Sequence, residues 1–266
     1  ADSANFESNL RALAGRSGDD QWRETIVLAF GLANRKDQKV LLNGILGKAR
    51  QLKTDNARRQ RLLLALACLE TGVDVAPELR RAALDAAREV FPPHSAEEAA
   101  QVARAGEMAV DLLRYDPDCP GTIAVHAIAA LAAIGGDAAL EVLAGYVAGA
   151  DWRIQRAITA SWDRFDREEF ARQILARRAD WEFDPLPAQR GWAEPLAHVT
   201  ALSLELPDGA AADLSPLAGL AQLASLDLWG GAAADLAPLA GLSRLTALEL
   251  WLPGGAAADL APLAGL

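Results

Sequence analysis

The chain has 266 residues, of which 52% are hydrophobic and only 6% aromatic, and its formal net charge is −10. Eight of its carboxylates follow position 191, where the only basic residue is Arg244, and this acidity disfavours a nucleic-acid ligand because phosphates attract basic surfaces. Two cysteines, Cys68 and Cys119, are too few for a disulfide framework or a cysteine metal site, so we expect a reduced, cytoplasmic protein without cofactors.

Residues 1–94 are predicted to form a helical domain, because apolar residues recur at helical spacing between polar caps. Helices are expected over 5–14, within 19–35, from 37 to about 52, over 58–70 and over 76–91. The second should begin at Asp19 or Asp20 and the third at Asp37, since aspartate caps helix N-termini. Pro92 and Pro93 should end the last helix.

A basic run lies within this domain at 35–61, where nine lysines and arginines are opposed by Asp37 and Asp55. Three roles agree with such a run: a solvated helical face, docking against an acidic neighbouring domain, or nucleic-acid binding. Few aromatic residues are interleaved with the charges, which disfavours binding to single strands.

Residues 95–184 are predicted to contain HEAT-like helical repeats. Short alanine-rich helices alternate between 122 and 162, with a break at Gly135, Gly136 and Asp137, and Asp151 should cap the next helix. The longest apolar stretch lies in this region and is too short to cross a membrane. The proline-containing stretch 180–192 leads out of it, and we place the connector itself at 185–194.

Residues 195–266 are predicted to be leucine-rich repeats. Three strand-like segments, VTALSLEL, LASLDLWG and LTALELWL, begin at Val199, Leu223 and Leu245, at spacings of 24 and 22 residues. The pattern L-x-x-L-x-L at this period is typical of leucine-rich repeats, whose leucines are buried only against neighbouring coils. The expected fold is therefore an all-helical HEAT-like superhelix followed by a short α/β solenoid.

The repeat pattern predicts where particular residues lie within each coil. One interior column should contain Leu204, Leu228 and Leu250. Each return segment, of the type ADLSPLAGL, should carry an aspartate that bonds local backbone amides, at Asp213, Asp235 and Asp259. Its proline should occupy the first turn of a short helical segment, at Pro216, Pro238 and Pro262. The asparagine that commonly follows the strand is missing, because Pro207, Gly231 and Pro253 stand there. The alternative is low-complexity drift towards alanine and leucine, which would not preserve this register.

The residues between the core leucines should face outward and form two columns. The first column contains Ser203, Asp227 and Glu249. The second contains Glu205, Trp229 and Trp251. Exposed tryptophans are costly and are favoured as interface anchors, so these six residues are the candidate partner-binding residues. The alternative is that the tryptophans pack on each other or under a loop.

The helical part resembles the region that follows the NTPase core in bacterial NACHT-type STAND proteins, relatives of NOD-like receptors. The resemblance rests on the stretch DDQWRETIVLAFGLANR, in which Trp22, Arg23 and Glu24 open a helix, and on RLLLALACLETGVDVAPELRRAALDAAREVFPP. The later WDRFDREEFARQIL, followed by DLSPLAGL repeats, is similar to the sensor half of such proteins. The chain starts without methionine and stops within a repeat, so we expect it to be part of a longer protein, with the repeat array truncated.

The resemblance implies a ligand-sensing, autoinhibitory module that acts in antiviral defence. Its implied partners are a protein ligand, including one of phage origin, on the repeat surface, the N-terminal NTPase domain of the same polypeptide, and further copies on activation. The alternative is a constitutive interaction scaffold. The segment GILGKA at 44–49 lacks the spacing of a phosphate-binding loop, and His94, His126 and His198 lie in no catalytic motif, so catalysis is not expected in this chain.

Overall fold

The computed structural model describes residues 2–52, 54–72, 74–149, 151–183, 193–206, 212–230, 235–251 and 259–264. The described chain is mostly helical and contains one four-stranded parallel sheet. It divides into two compact units, Ala1–Val142 and Leu143–Leu266. The finer division after residues 94, 184 and 194 stays a prediction.

The first unit is built from helices around one apolar helix. Its helices are α1 (Asp2–Gly15), α2 (Arg23–Leu32), α3 (Arg35–Arg50), α4 (Asp55–Thr71), α5 (Pro77–Ala87), α6 (Ala96–Ala103), α7 (Gly121–Ile134) and α8 (Gly136–Gly145), the last of which continues into the second unit. Every residue from 62 to 69 on α4 is buried, and α4 packs against α2, α3 and α5. A helical stretch that is apolar all round is stable in water only when neighbours enclose it, which places residues 62–69 of α4 at the centre of this unit.

The capping residues at three helix N-termini agree with the sequence predictions in two cases and differ in one. Asp19 caps the short 3-10 turn before α2, because its Oδ1 accepts from the amide of Gln21 at 3.2 Å. The prediction that Asp37 caps the third helix is wrong. That helix begins at Arg35, and its cap is Asn34, three residues before Asp37; the Asn34 side chain accepts from the Asp37 amide at 3.1 Å. Asp151 caps its helix as predicted, accepting from the Arg153 amide at 2.8 Å.

The predicted break between α7 and α8 is confirmed. Gly135 and Gly136 have φ values of 71° and 78°, which lie in the left-handed region that glycine adopts without a steric penalty. The first helix ends at Ile134 and the next begins at Gly136, so this pair of glycines makes the turn.

The second unit combines short helices with the sheet. Its elements after α8 are α9 (Trp152–Ala160), α10 (Arg167–Gln173), β1 (Asp180–Phe183), β2 (Ala201–Leu206), β3 (Ser225–Gly230) and β4 (Ala247–Trp251), with 3-10 segments between them. The strands are parallel and lie in the order β1-β2-β3-β4.

The first strand corrects the sequence analysis, which assigned 180–184 to the helical region and treated 180–192 as an irregular stretch. Residues Asp180–Phe183 instead form β1, in which Trp181 and Phe183 pair with Leu202 and Leu204 of β2. Both aromatic side chains are buried, because they occupy the positions that leucine holds in the following strands.

The predicted interior column is confirmed by the strand register. Leu204 pairs with Leu228, and Leu228 pairs with Leu250. Leu204 and Leu228 are fully buried, whereas Leu250 is half-buried because β4 is the last strand of the described sheet. At the opposite end, the rings of Trp162 and Phe183 lie 5.8 Å apart and close the core.

The return segments form short 3-10 helices over Ser215–Gly219, Ala237–Gly241 and Ala261–Leu263, each with proline in its first turn as predicted. The aspartate before each segment accepts a hydrogen bond from the amide two residues later, at 2.9–3.0 Å. These prolines and aspartates therefore act locally, each within its own segment. The positions Pro207, Gly231 and Pro253, which replace the usual asparagine, lie outside the described residues.

Candidate functional site

The candidate site is the outward face of the sheet, opposite the buried leucines. Side chains alternate between the two faces of a strand, so the residues between inward leucines lie together on the other face. The register aligns Ser203, Asp227 and Glu249 in one column. It aligns Glu205, Trp229 and Trp251 in the next. The structure therefore brings all six predicted residues together, and we call this set the outward face.

The two tryptophans differ in exposure. Trp251 is 69% exposed, whereas Trp229 is half-buried. Ring contacts among the described residues join aromatic side chains of the core, and none links Trp229 with Trp251. The alternative that the tryptophans pack on each other is therefore not seen in the described part of the chain, and Trp251 exposes its ring to solvent.

Two carboxylates lie side by side on this face. Asp227 pairs in register with Glu249 on the next strand, and neighbouring strands are only about 4.8 Å apart. Burial raises the pKa of Asp227, and the charge of Glu249 raises it further. Two like charges held this close repel each other, so the pair would be stabilised by a cation.

Asp227 and Glu249 receive little compensation from basic residues in the described part of the chain. Among the described residues, neither Asp227 nor Glu249 forms an ion pair. Arg244, on the segment that leads into β4, donates to Gln222 Oε1 at 2.7 Å. The face is consequently an acidic and aromatic surface.

One outward residue was missed by the sequence analysis. Glu182 on β1 pairs in register with Ser203 and therefore extends the first column. The alternation of Trp181, Glu182 and Phe183 was a signal that could have revealed the strand. This alternation covers only three residues and adjoins the proline-containing stretch, so the sequence did not distinguish a strand from a loop here.

The histidines are distributed over different environments. The His94 amide donates to Glu98 Oε2 at 2.7 Å, and His126 lies half-buried on α7. His198 Nε2 lies 3.0 Å from the Leu175 carbonyl and 2.9 Å from the Arg178 carbonyl, so it joins backbone segments. Within the described ranges, no three His, Cys, Asp or Glu side chains are grouped so that they could hold a metal ion.

The basic run at 35–61 is partly used inside the first unit. Arg35 pairs with Asp74 at 2.5 Å, Arg58 with Glu89, and Arg59 with Glu98. Three lysines of the run, Lys36, Lys39 and Lys48, line a groove between α1 and α3 together with Arg11, and both Arg11 and Lys36 pair with Glu7. The run therefore has a structural part and a groove-lining part, and the groove's role stays open among the predicted roles.

Every described helix falls short of the length and apolar content that a membrane crossing requires. Comparison with known protein families, with curated proteins and with solved structures found no match.

Proposed function

We propose that this chain is a ligand-sensing, autoinhibitory module of a NACHT-type NTPase and that it binds a protein partner through the outward face. The observation that carries the binding part is the exposed Trp251 in register with Trp229, beside the neighbouring carboxylates Asp227 and Glu249. Tryptophan is among the residues that contribute most to protein interfaces, and acidic neighbours give such a surface specificity.

The proposal includes a finer description of the fold. We assign β2, β3 and β4, with their return segments, to successive leucine-rich repeats, and the helices after residue 95 to HEAT-like repeats. The support is the common register of the strands and the aspartate-bonded turn that recurs at Asp213, Asp235 and Asp259. In such an array each repeat presents its outward residues next to those of its neighbours, which builds one continuous binding surface.

The mechanism proposed for sensing is differential binding. A ligand that contacts the outward face more strongly in an open state than in a closed state shifts the protein towards the open state. The sensor then releases the NTPase domain of the same polypeptide, copies assemble, and the defence response begins. Phage proteins are the ligand source that the antiviral role implies.

The binding part is tested by selection from a displayed peptide library against this chain. Peptides recovered on the wild-type chain should lose at least about tenfold in affinity for the double variant Trp229→Ala, Trp251→Ala, because a hot-spot tryptophan contributes 2 kcal/mol or more, which is over tenfold in affinity. The matched control is Trp152→Ala, which removes another exposed tryptophan, 47% exposed, from the same unit. Equal affinities for the double variant and the wild type would refute the proposed surface.

The sensor part is tested separately in the natural reading frame. We expect a phosphate-binding loop and an NTPase core to be encoded in frame with this chain. In the intact protein, Trp229→Ala with Trp251→Ala should change ligand-dependent nucleotide hydrolysis. An intact reading frame without an NTPase would instead establish a constitutive scaffold that uses the same surface.

A further inference from the structure

We infer that the outward face recognises a cationic segment of its partner and that an arginine side chain lies against Trp251 between Asp227 and Glu249. The inference rests on the proposed function, because it names the chemistry of the partner at the same surface. It follows from three observations on the second unit.

The first observation is the arrangement of charge. Asp227 and Glu249 occupy adjacent strands of the outward face, and neither forms an ion pair among the described residues. A guanidinium group carries five N–H donors in one plane, so it can bond two neighbouring carboxylates at once. An acidic or neutral partner group would leave the repulsion between the carboxylates in place.

The second observation is the position of the indole. Trp251 Nε1 lies 3.4 Å from Glu249 Oε2, so the ring edge faces the carboxylate while the ring remains largely exposed. A cation that binds Glu249 would therefore lie beside the indole, whose exposed face is open to it. Cations are attracted to that face, and arginine also stacks on it.

The third observation is that the same unit already uses this combination elsewhere. The guanidinium of Arg153 lies 4.7 Å from the ring centroid of Trp152, and its NH1 lies 3.5 Å from Asp151 Oδ1. Trp152 therefore lies beside a cation, Arg153, that is paired with a carboxylate, Asp151, at the start of the same helix. Among the described residues, Trp251 has the neighbouring carboxylate but no such arginine, so the partner would supply the cation.

The test uses a short peptide of alternating arginine and glycine, with a second peptide in which neutral citrulline replaces each arginine. The arginine peptide should bind the chain, and the citrulline peptide should bind at least about tenfold more weakly, because its side chain has nearly the same shape but cannot form charge-assisted bonds to the two carboxylates. The double variant Asp227→Asn, Glu249→Gln should lower affinity for the arginine peptide by about tenfold.

The matched control is the double variant Asp235→Asn, Asp259→Asn, which removes two negative charges from the same unit. Asparagine keeps the Oδ1 acceptor that these aspartates offer to the amides of Ala237 and Ala261, so the return segments keep their bonds. This control should bind the arginine peptide like the wild type. An equal loss in the control would show non-specific attraction to net charge and would overturn the inference, as would absence of binding to the wild type.

The two proposals fail in different ways. If peptides selected on the wild-type chain depend on Trp229 and Trp251 but are neutral or acidic, the binding surface stands and the cationic partner is wrong. If the selected peptides ignore both tryptophans, the surface itself is wrong. Binding of the arginine peptide that persists in Trp251→Ala would place its cation away from the indole and contradict the inference.

Discussion

The indole nitrogen of Trp251 donates to a carboxylate oxygen of Glu249 at 3.4 Å, two residues earlier on the same strand. Successive side chains of one face are about 6.6 Å apart along a strand, so this contact requires the indole to lean back over β4. The ring is therefore oriented by its own strand and leaves most of its surface exposed. This orientation is the basis of the first prediction.

Replacing Trp251 by alanine should change the free energy of unfolding by no more than about 0.5 kcal/mol, because a residue that is mostly exposed contributes little to the core. Leu228→Ala should instead cost about 2–5 kcal/mol, since this fully buried leucine lies between neighbouring strands. Urea denaturation of both variants at neutral pH measures the difference. A large loss in Trp251→Ala would mean that the tryptophan is structural.

Replacing Asp227 by asparagine should stabilise the chain at neutral pH. Burial and the charge of Glu249 raise the pKa of Asp227, so the folded state binds its proton more tightly than the unfolded state does. Stability associated with this group therefore falls as the pH rises from the unfolded value of about 3.9 through the raised folded value. Asparagine, which stays neutral, avoids that loss.

The expected signature of Asp227→Asn is a difference in melting temperature that depends on pH. The variant should melt higher than the wild type at neutral pH, and the two should converge at low pH, where the aspartate is itself neutral. Thermal melts over a pH series provide the measurement. A difference in melting temperature that stays constant across the pH series would show that packing, and not charge, causes the stabilisation.

Two glycines of α3 should respond to alanine in opposite ways. A Cβ added at Gly44 would lie 2.7 Å from the Cβ of Ala14 on α1, too close without movement of the helices. We expect Gly44→Ala to cost about 1–3 kcal/mol, as overpacking does.

The matched substitution, Gly47→Ala, lies on the same helix, but its added Cβ would meet no atom within 4 Å. Alanine is favoured over glycine in helices, so Gly47→Ala should stabilise the chain by about 0.5–1 kcal/mol. Denaturant titration of the two variants should therefore shift in opposite directions. Stabilisation by both would show that α1 and α3 are not closely packed at Gly44.

The two cysteines should differ in reactivity. Burial raises the pKa of Cys68 to about 12, although the charge of Arg23 opposes the rise. Cys119 is only half-buried, and burial followed by the charge of Asp116 raises its pKa. Because the thiolate is the nucleophile, an alkylating reagent at mildly alkaline pH should label Cys119 in the native protein and spare Cys68.

Mass spectrometry of the native and urea-unfolded protein checks this prediction. One thiol should be labelled in the native state and two after unfolding, and Cys119→Ser should leave none reactive in the native state. Rapid labelling of native Cys68 would show that α4 opens readily, contrary to its central place in the first unit.

The sheet could be predicted from the sequence because its pattern, leucine at alternate positions, is local and recurs in successive strands. Alternating leucines fix which residues face inward, so Leu204, Leu228 and Leu250 aligned as expected, and the outward face followed from them. The aspartate-bonded turns were also predictable, because the bond joins residues two positions apart.

Features that depend on distant residues were not predictable in this way. The strand β1 uses Trp181 and Phe183 where later strands use leucine, and only pairing with β2 distinguishes it from a loop. The pairing of Arg58 with Glu89 and of Arg59 with Glu98 joins segments far apart in sequence, so the sequence did not show which cations of the basic run are paired within the first unit. The wrong choice of Asp37 as a cap arose because Asn34 was equally suitable by residue type.

The self-contained return segments have a consequence for how the gene can change. Since Asp235 and Asp259 each bond only an amide two residues later, at the start of their own short helix, recombination between near-identical copies can add or remove an entire period without breaking these bonds. Such an event leaves every strand in phase. A one-residue insertion within a strand has the opposite effect, because it would turn the apolar side chains beyond it towards water.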